Sequence, residues 1–241
     1  MYIQALQRHG HKPLVGHFRR LNRLVRYMQR KKVGLRYIHL TPPSRLVLIS
    51  DTAFRADEPD CLALRGCMVA LFGKSEAFTH FPGGSFNLLD AVMGKQKKVC
   101  RSTFSAETLS LLDGAELARL IGFAFCELTL GCIGPAEIFK LDQKGQLPIQ
   151  IDCVIDAMSV LSALMKEEPK TPTEMTMIIP IQIIKNLVEA GQLSSISWVD
   201  TRDMLVDGMT KGSIPREPML AAFASCLWLV KHASKTYRKR S

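Results

Sequence analysis

Pro148-Ile149-Gln150-Ile151-Asp152-Cys153-Val154-Ile155, followed at once by Asp156-Ala157-Met158-Ser159-Val160-Leu161-Ser162-Ala163-Leu164-Met165-Lys166, decides the fold. The first eight residues are a short, β-branched, apolar run and read as a strand over 148–155. The residues after it read as a helix over 157–166. A strand that feeds straight into a helix is the βα step of a parallel strand. Asp156 stands at the switch between them.

The flanking sequence supplies the rest of a sheet. Strands are expected at 45–51, 64–72 and 86–92, with a turn at Pro82-Gly83-Gly84 before the last, so 45–92 reads as an antiparallel meander. A helix runs from Glu107, in its first turn, to about Cys126. Leu109, Leu112, Leu117, Leu120 and Ile121 are its expected core contacts, and Gly114 and Ala118 give it a face small enough to approach a sheet closely. Pro169 and Pro172 break the chain after 166. A helix over 180–190 follows, with Pro180 in its first turn because an interior proline would cost about 3 kcal/mol. Strand 194–199, a short helix around 203–211 and an amphipathic helix over 217–233 complete the pattern. The expected fold is α/β: a mixed five-stranded sheet with helices on both faces over 42–215, then a C-terminal helix and basic tail over 216–241.

Before this body, Leu14, Phe18, Leu21, Val25 and Met28 recur at spacings of 4, 3, 4 and 3, an apolar helix stripe. Arg19, Arg20, Arg23, Arg26 and Arg30 fill the other faces. A strand over Leu35–Leu40 and a linker, Thr41-Pro42-Pro43-Ser44, lead into the body. Residues 1–41 thus form a separate basic segment.

The net charge of +10 is unevenly placed. Eleven Lys/Arg and no acid precede Asp51, and five Lys/Arg and no acid lie in 231–241. Residues 46–230 hold 16 basic residues against all 22 acids. Basic wings on an acidic body suit a polyanion and a carboxylate-held cation; the plainer reading is solvated surface charge. Seven cysteines show no Cys-x-x-Cys spacing, and no signal peptide opens the chain. Reduced thiols in an intracellular protein, cytoplasmic or nuclear and not secreted, are expected. No 18-residue apolar run suggests a membrane span.

Four carboxylates stand where elements begin or end: Asp51 after Leu46-Val47-Leu48-Ile49-Ser50, Glu107 in the helix start, Asp156, and Asp207 in the short helix. Convergence of such groups on one point would make a divalent-metal centre, which suits phosphodiester chemistry. Each has an ordinary alternative. Asp51 and Asp156 could shape turns, Glu107 could favour a helix N-terminus, and Asp207 could cap its helix or pair with Lys211 at i+4. Asp57, Glu58 and Asp60 read as a solvated loop, Asp152 as part of a partly exposed strand face, and Asp200 and Asp203 as turn and cap. The six histidines lack zinc-type spacing and read as tail or surface residues.

With these positions placed, most of the chain, about 17–215, resembles the RNase H domain that ends the pol polyprotein of copia-type LTR retrotransposons. Arg20-Leu21-Asn22-Arg23-Leu24-Val25-Arg26-Tyr27-Met28 with Gly34-Leu35-Arg36-Tyr37 resembles the segment joining reverse transcriptase to RNase H. Ser50-Asp51-Thr52-Ala53 resembles the family's Ser-Asp-Ala opening, and Gly66–Leu71 its second strand. Lys95-Gln96, Val99 and Arg101-Ser102-Thr103 resemble the approach to the catalytic helix, and Ala106-Glu107 its carboxylate. Ser105 replaces a glutamate common in the family. Asp156-Ala157-Met158-Ser159 resembles Asp-x-x-Ser. Trp198-Val199 and Leu205-Val206-Asp207-Gly208-Met209-Thr210-Lys211 resemble the closing block. Each motif is weak alone; the four carboxylates in order, 56, 49 and 51 residues apart, carry the likeness.

The resemblance implies metal-dependent hydrolysis of the RNA strand of an RNA–DNA hybrid. It implies two Mg²⁺ (Mn²⁺ as an alternative) roughly 3.5–4 Å apart, bridged by Asp51 and held by Glu107, Asp156 and Asp207. RNA would be selected through successive 2′-hydroxyls. Lys95, Lys97, Lys98, Arg101 and Lys211 are candidate phosphate contacts, a solvated loop being the alternative for the first four; the 19–32 helix is a second basic surface. The implied partners are the hybrid and the reverse transcriptase portion of the parent polyprotein, with no membrane and no small-molecule cofactor. No Asp-Asp pair occurs, so polymerase activity is not expected, and the chain reads as a C-terminal piece of a longer polyprotein or an insertion fragment. Lys235–Arg240 reads as a disordered basic tail or a nuclear localisation signal. The rival expectations are a relic that binds nucleic acid without cutting it, and an interaction module built on the 14–28 stripe.

Overall fold

The computed structural model describes residues 11–30, 34–54, 63–74, 82–166, 174–211 and 214–239. The loop carboxylates Asp57, Glu58 and Asp60 and the breaks at Pro169 and Pro172 lie outside these residues. Helix α1 spans Val15–Arg30. Strands β1 (Arg45–Ala53), β2 (Leu64–Phe72) and β3 (Gly84–Lys95) precede helices α2 (Thr103–Leu130) and α3 (Pro135–Gln143). Then come β4 (Gln150–Ile155), α4 (Met158–Met165), α5 (Ile178–Glu189), β5 (Ser195–Val199), α6 (Asp207–Thr210), α7 (Glu217–Ser225), β6 (Leu227–Trp228) and β7 (Ser234–Arg238).

The sheet is mixed α/β, but it has seven strands rather than five, in the order β6-β3-β2-β1-β4-β5-β7. The meander is present: β1 pairs antiparallel with β2, and β2 with β3. The βα step gives the expected parallel strand, since β4 runs parallel to both β1 and β5. The two additional strands come from the C-terminal segment: β6 lies where the 217–233 helix was expected, and β7 in the expected basic tail. That helix stops at Ser225 because Cys226 takes a left-handed backbone (φ 54). Trp228 is then drawn against Phe72, ring centroids 6.1 Å apart, and β6 pairs with β3. The basic stretch after it is a strand: Tyr237 is buried, the Thr236 and Ser197 hydroxyls lie 2.9 Å apart, and β7 covers the free edge of β5.

Alternation along β1 explains why both sheet faces are covered. Leu46 and Leu48 meet Leu111, Ala115 and Ala118 of α2, within a core shared with α4 and α5. Val47 and Ile49 face the other way, into a core with Leu205, Val206 and Ala222 around α6 and α7. Gly114 allows α2 to lie against the sheet, since a Cβ there would sit 2.9 Å from Leu48 Cδ1. Leu120, expected in the core, is exposed, being on the helix's outer side.

Three further expectations are corrected. Residues 34–40 form no strand, because the Ile38 N–H and C=O are taken by the Asn87 side chain (2.9 and 2.8 Å) rather than by a ladder. Asp152 is not on an exposed face. It is buried between neighbouring strands, where the Arg45 guanidinium (3.3 Å) and the Ser195 hydroxyl (2.5 Å) donate to it. Helix α3 was not foreseen, although Gly134-Pro135 marks its start. Helix α1 forms as expected, with none of its residues buried.

Candidate metal centre

The site lies at the carboxyl ends of the two central parallel strands. The β1–β4 register pairs Ile49 with Val154, and two residues further along each chain come Asp51 and Asp156. The register therefore brings these carboxylates side by side. Carboxyl ends of parallel strands, where strand order changes direction, are where α/β sheets place ligands. Glu107 arrives from α2, which starts at Ser102 with a capping box: the Ser105 N–H donates to Ser102 Oγ (3.1 Å) and the Ser102 N–H to Ser105 Oγ (3.1 Å). Ser105 thereby serves the cap where the resembled family has glutamate. The Thr52 N–H donates to Glu107 Oε1 (3.3 Å), tying α2 to the strand carrying Asp51. Below, the Ser50 and Ser110 hydroxyls meet at 2.8 Å.

One oxygen from each of Asp51, Glu107 and Asp156 lies within 4.8 Å of the others, so this trio could hold a metal ion. Asp51 is wholly buried and Glu107 nearly so. Asp51 Oδ1 and Glu107 Oε2 lack hydrogen-bond partners among the described residues, a costly state for buried carboxylates. Burial pushes Glu107 up to about 8, with the neighbouring Asp51 charge adding to it. Burial likewise raises Asp51 to about 7, against the opposing pull of Lys211 and the Thr210 hydroxyl. These are oxygen donors with unused lone pairs, which suit a hard divalent cation.

Asp207 opens α6 beside the trio. Lys211, four residues on, reaches its Oδ1 (2.5 Å) and also lies 3.4 Å from Asp51 Oδ1 and 3.7 Å from Asp156 Oδ2. Burial works against the Lys211 charge, but the Asp207 hydrogen bond and the charges of Asp51 and Asp156 outweigh it and raise its pKa. No protein-family model and no curated protein matches this chain. The site's chemistry therefore rests on its own geometry.

The other expected positions are placed as follows. Lys97, Lys98 and Arg101 are exposed on the connection from β3 into α2, and Lys95 ends β3 half-buried. Gln96 anchors that connection by donating to the Ala106 carbonyl (2.6 Å). Lys211, expected on a phosphate-facing surface, turns into the carboxylates. Asp200 caps the turn at 201–203, and Asp203 accepts the Lys231 and His232 N–H groups (3.0 and 2.8 Å). Sequence reading missed Thr210, whose hydroxyl donates to Asp51, and Thr201, whose hydroxyl donates to Asp156 (3.0 Å). It also missed the demand on Gly66, which pairs with Asp51 and whose Cβ would meet Thr210 and Val206 at 2.6 and 2.8 Å. The residue types alone carried no signal for these roles; only the resemblance to the closing Thr-Lys motif touched Thr210.

Proposed function

We propose that this chain is a metal-dependent nuclease of RNase H type that hydrolyses the RNA strand of RNA–DNA hybrids. The observation that carries the proposal is the meeting of Asp51, Glu107 and Asp156, from three separate elements, with two buried carboxylate oxygens lacking hydrogen bonds. The two central parallel strands and the helix behind them supply these side chains in the order the sequence resemblance requires. Asp51, Glu107 and Asp156 would hold Mg²⁺, with Asp207 at their side. Such ions supply an activated water and neutralise the leaving oxygen. The chain's own part is to fix the carboxylates. Thr210 and Thr52 orient Asp51 and Glu107, and Thr201 orients Asp156, while burial of Asp51 Oδ1 and Glu107 Oε2 withholds them from bulk water. Lys97, Lys98 and Arg101 stand exposed just ahead of α2, available to phosphates of a bound duplex.

The deciding experiment is cleavage of a labelled RNA–DNA hybrid by the purified chain with Mg²⁺. Cleavage should occur and should fall by about 10²–10³-fold in Asp51→Asn and Glu107→Gln, the scale of losing one group that organises a reaction centre. A second reading, a nucleic-acid-binding remnant, is favoured by Lys211 lying within the carboxylates. Salt-sensitive hybrid binding without any Mg²⁺- or Mn²⁺-dependent cleavage would select it.

A further inference from the structure

We propose that the Lys211 ammonium is a tethered occupant of the cation position, which must leave the carboxylates for a divalent metal to enter. This rests on the metal-centre reading above. Lys211 Nζ lies 2.5, 3.4 and 3.7 Å from carboxylate oxygens of Asp207, Asp51 and Asp156, groups carried by three different stretches of chain. Asp51 and Asp156 also belong to the trio whose oxygens converge within 4.8 Å. Ammonium and metal thus share two of their carboxylates and cannot both occupy the space between them without strong like-charge repulsion.

The ammonium offsets part of the negative charge but leaves the site unfinished. Glu107 Oε2, within a residue only 4 % exposed, has no hydrogen bond among the described residues, and neither has Asp51 Oδ1 despite its ion pair. A lysine suits a reversible occupant, being a compact charge on a flexible four-carbon stem. The Lys211 side chain, at the C-cap of α6, is 28 % exposed, so part of its stem already borders solvent. Once out, it is a cation beside the metal ligands, placed to meet a phosphate oxygen of the substrate. Metal loading and presentation of Lys211 then become one event. With the ammonium seated, Asp51, Asp156 and Asp207 have a cation among them while Glu107 does not, at the expense of apparent metal affinity.

Two measurements on the full chain test this. Lysine acylation of the wild type, read residue by residue by mass spectrometry, should show Lys211 reacting on the order of tenfold faster with saturating Mn²⁺ than without. Titration calorimetry with Mn²⁺ alone should show Lys211→Met and Lys211→Gln binding on the order of tenfold more tightly than wild type, the effect of removing a competitor of modest strength. Should one variant fail to fold, the other variant and the wild-type acylation still decide. Equal or weaker Mn²⁺ binding in the variants, or Lys211 acylation unchanged by bound Mn²⁺, overturns the exchange and leaves the metal centre standing. No Mn²⁺ binding by wild type or variants overturns both.

Discussion

Burial lifts Glu107 to about 8 and Asp51 to about 7 in the native chain, whereas free carboxylates titrate at about 4. A raised carboxylate pKa contributes stability that is complete below the unfolded value and is lost as pH rises through the folded one. Lys211, raised above an already high value, stays charged throughout that window and adds no slope. Without divalent metal, the melting temperature should therefore fall between pH 5 and pH 9. Mg²⁺ should restore more of it at pH 8.5 than at pH 5.5, because metal needs the deprotonated carboxylates. Calorimetric scans in chelator and in Mg²⁺ check this; a metal-free melting temperature that climbs across the range would refute it, and Glu107→Gln should flatten the slope. Gly66 gives a second residue-scale prediction. An alanine Cβ there would strike the Thr210 and Val206 side chains, lifting the helix that carries Asp207 and Lys211. Gly66→Ala should cost about 1–3 kcal/mol of stability and weaken Mn²⁺ binding, measured by denaturant unfolding and calorimetry. Asp51 and Asp156 were legible in the sequence because they end apolar runs, and Glu107 because it stands at a helix start. Gly66 was not, because a close approach between distant elements leaves no local trace.

The elements carry their own consequences, and α2 carries most. Its start is set by Ser102 and Ser105, which stand five and two residues before Glu107. Ser102→Ala should cost about 0.5–2 kcal/mol and should loosen Glu107 enough to lower Mn²⁺ affinity more than an equally destabilising substitution elsewhere, with chemical unfolding and calorimetry as the paired readouts. Equal Mn²⁺ affinity in both would show that the cap stabilises the fold without positioning the site. Strands β1, β2, β4 and β5 and helices α4 and α5 were legible because each is an apolar run of the right length and period between breakers. The C-terminal segment misled for a physical reason. Leu227, Trp228 and Leu229 continue an apolar helical pattern, yet the pocket beside Phe72 and the open edge of β3 reward an extended chain more than another helical turn. Similarly, Ser234–Arg238 looks like a charged tail in sequence; only the vacant edge of β5 makes it a strand.

For the whole molecule, the exposure of the basic leading helix makes a sharp prediction. The sheet and the helices on its two faces bury the hydrophobic cores, while α1 contributes no buried residue and Phe18 and Met28 remain 56 % and 60 % exposed. Removing residues 1–33 should therefore leave the melting temperature nearly unchanged. Those residues nevertheless include Arg19, Arg20, Arg23, Arg26 and Arg30, set in a stretch without a single acid, against a body in which acids outnumber bases. In the proposed reading, a duplex at the exposed Lys97, Lys98 and Arg101 would otherwise meet a body in which acids outnumber bases, and the helix arginines would add attraction to that of the five basic residues in 231–241. If it serves that purpose, the dependence of hybrid affinity on salt, followed by fluorescence anisotropy from 50 to 200 mM, should become shallower on truncation. The slope should fall by roughly 0.9 for each phosphate the helix had neutralised. A slope unchanged by truncation would assign the arginines to some other partner. A melting temperature lowered by several degrees would instead mean that the apolar stripe packs on the body in solution.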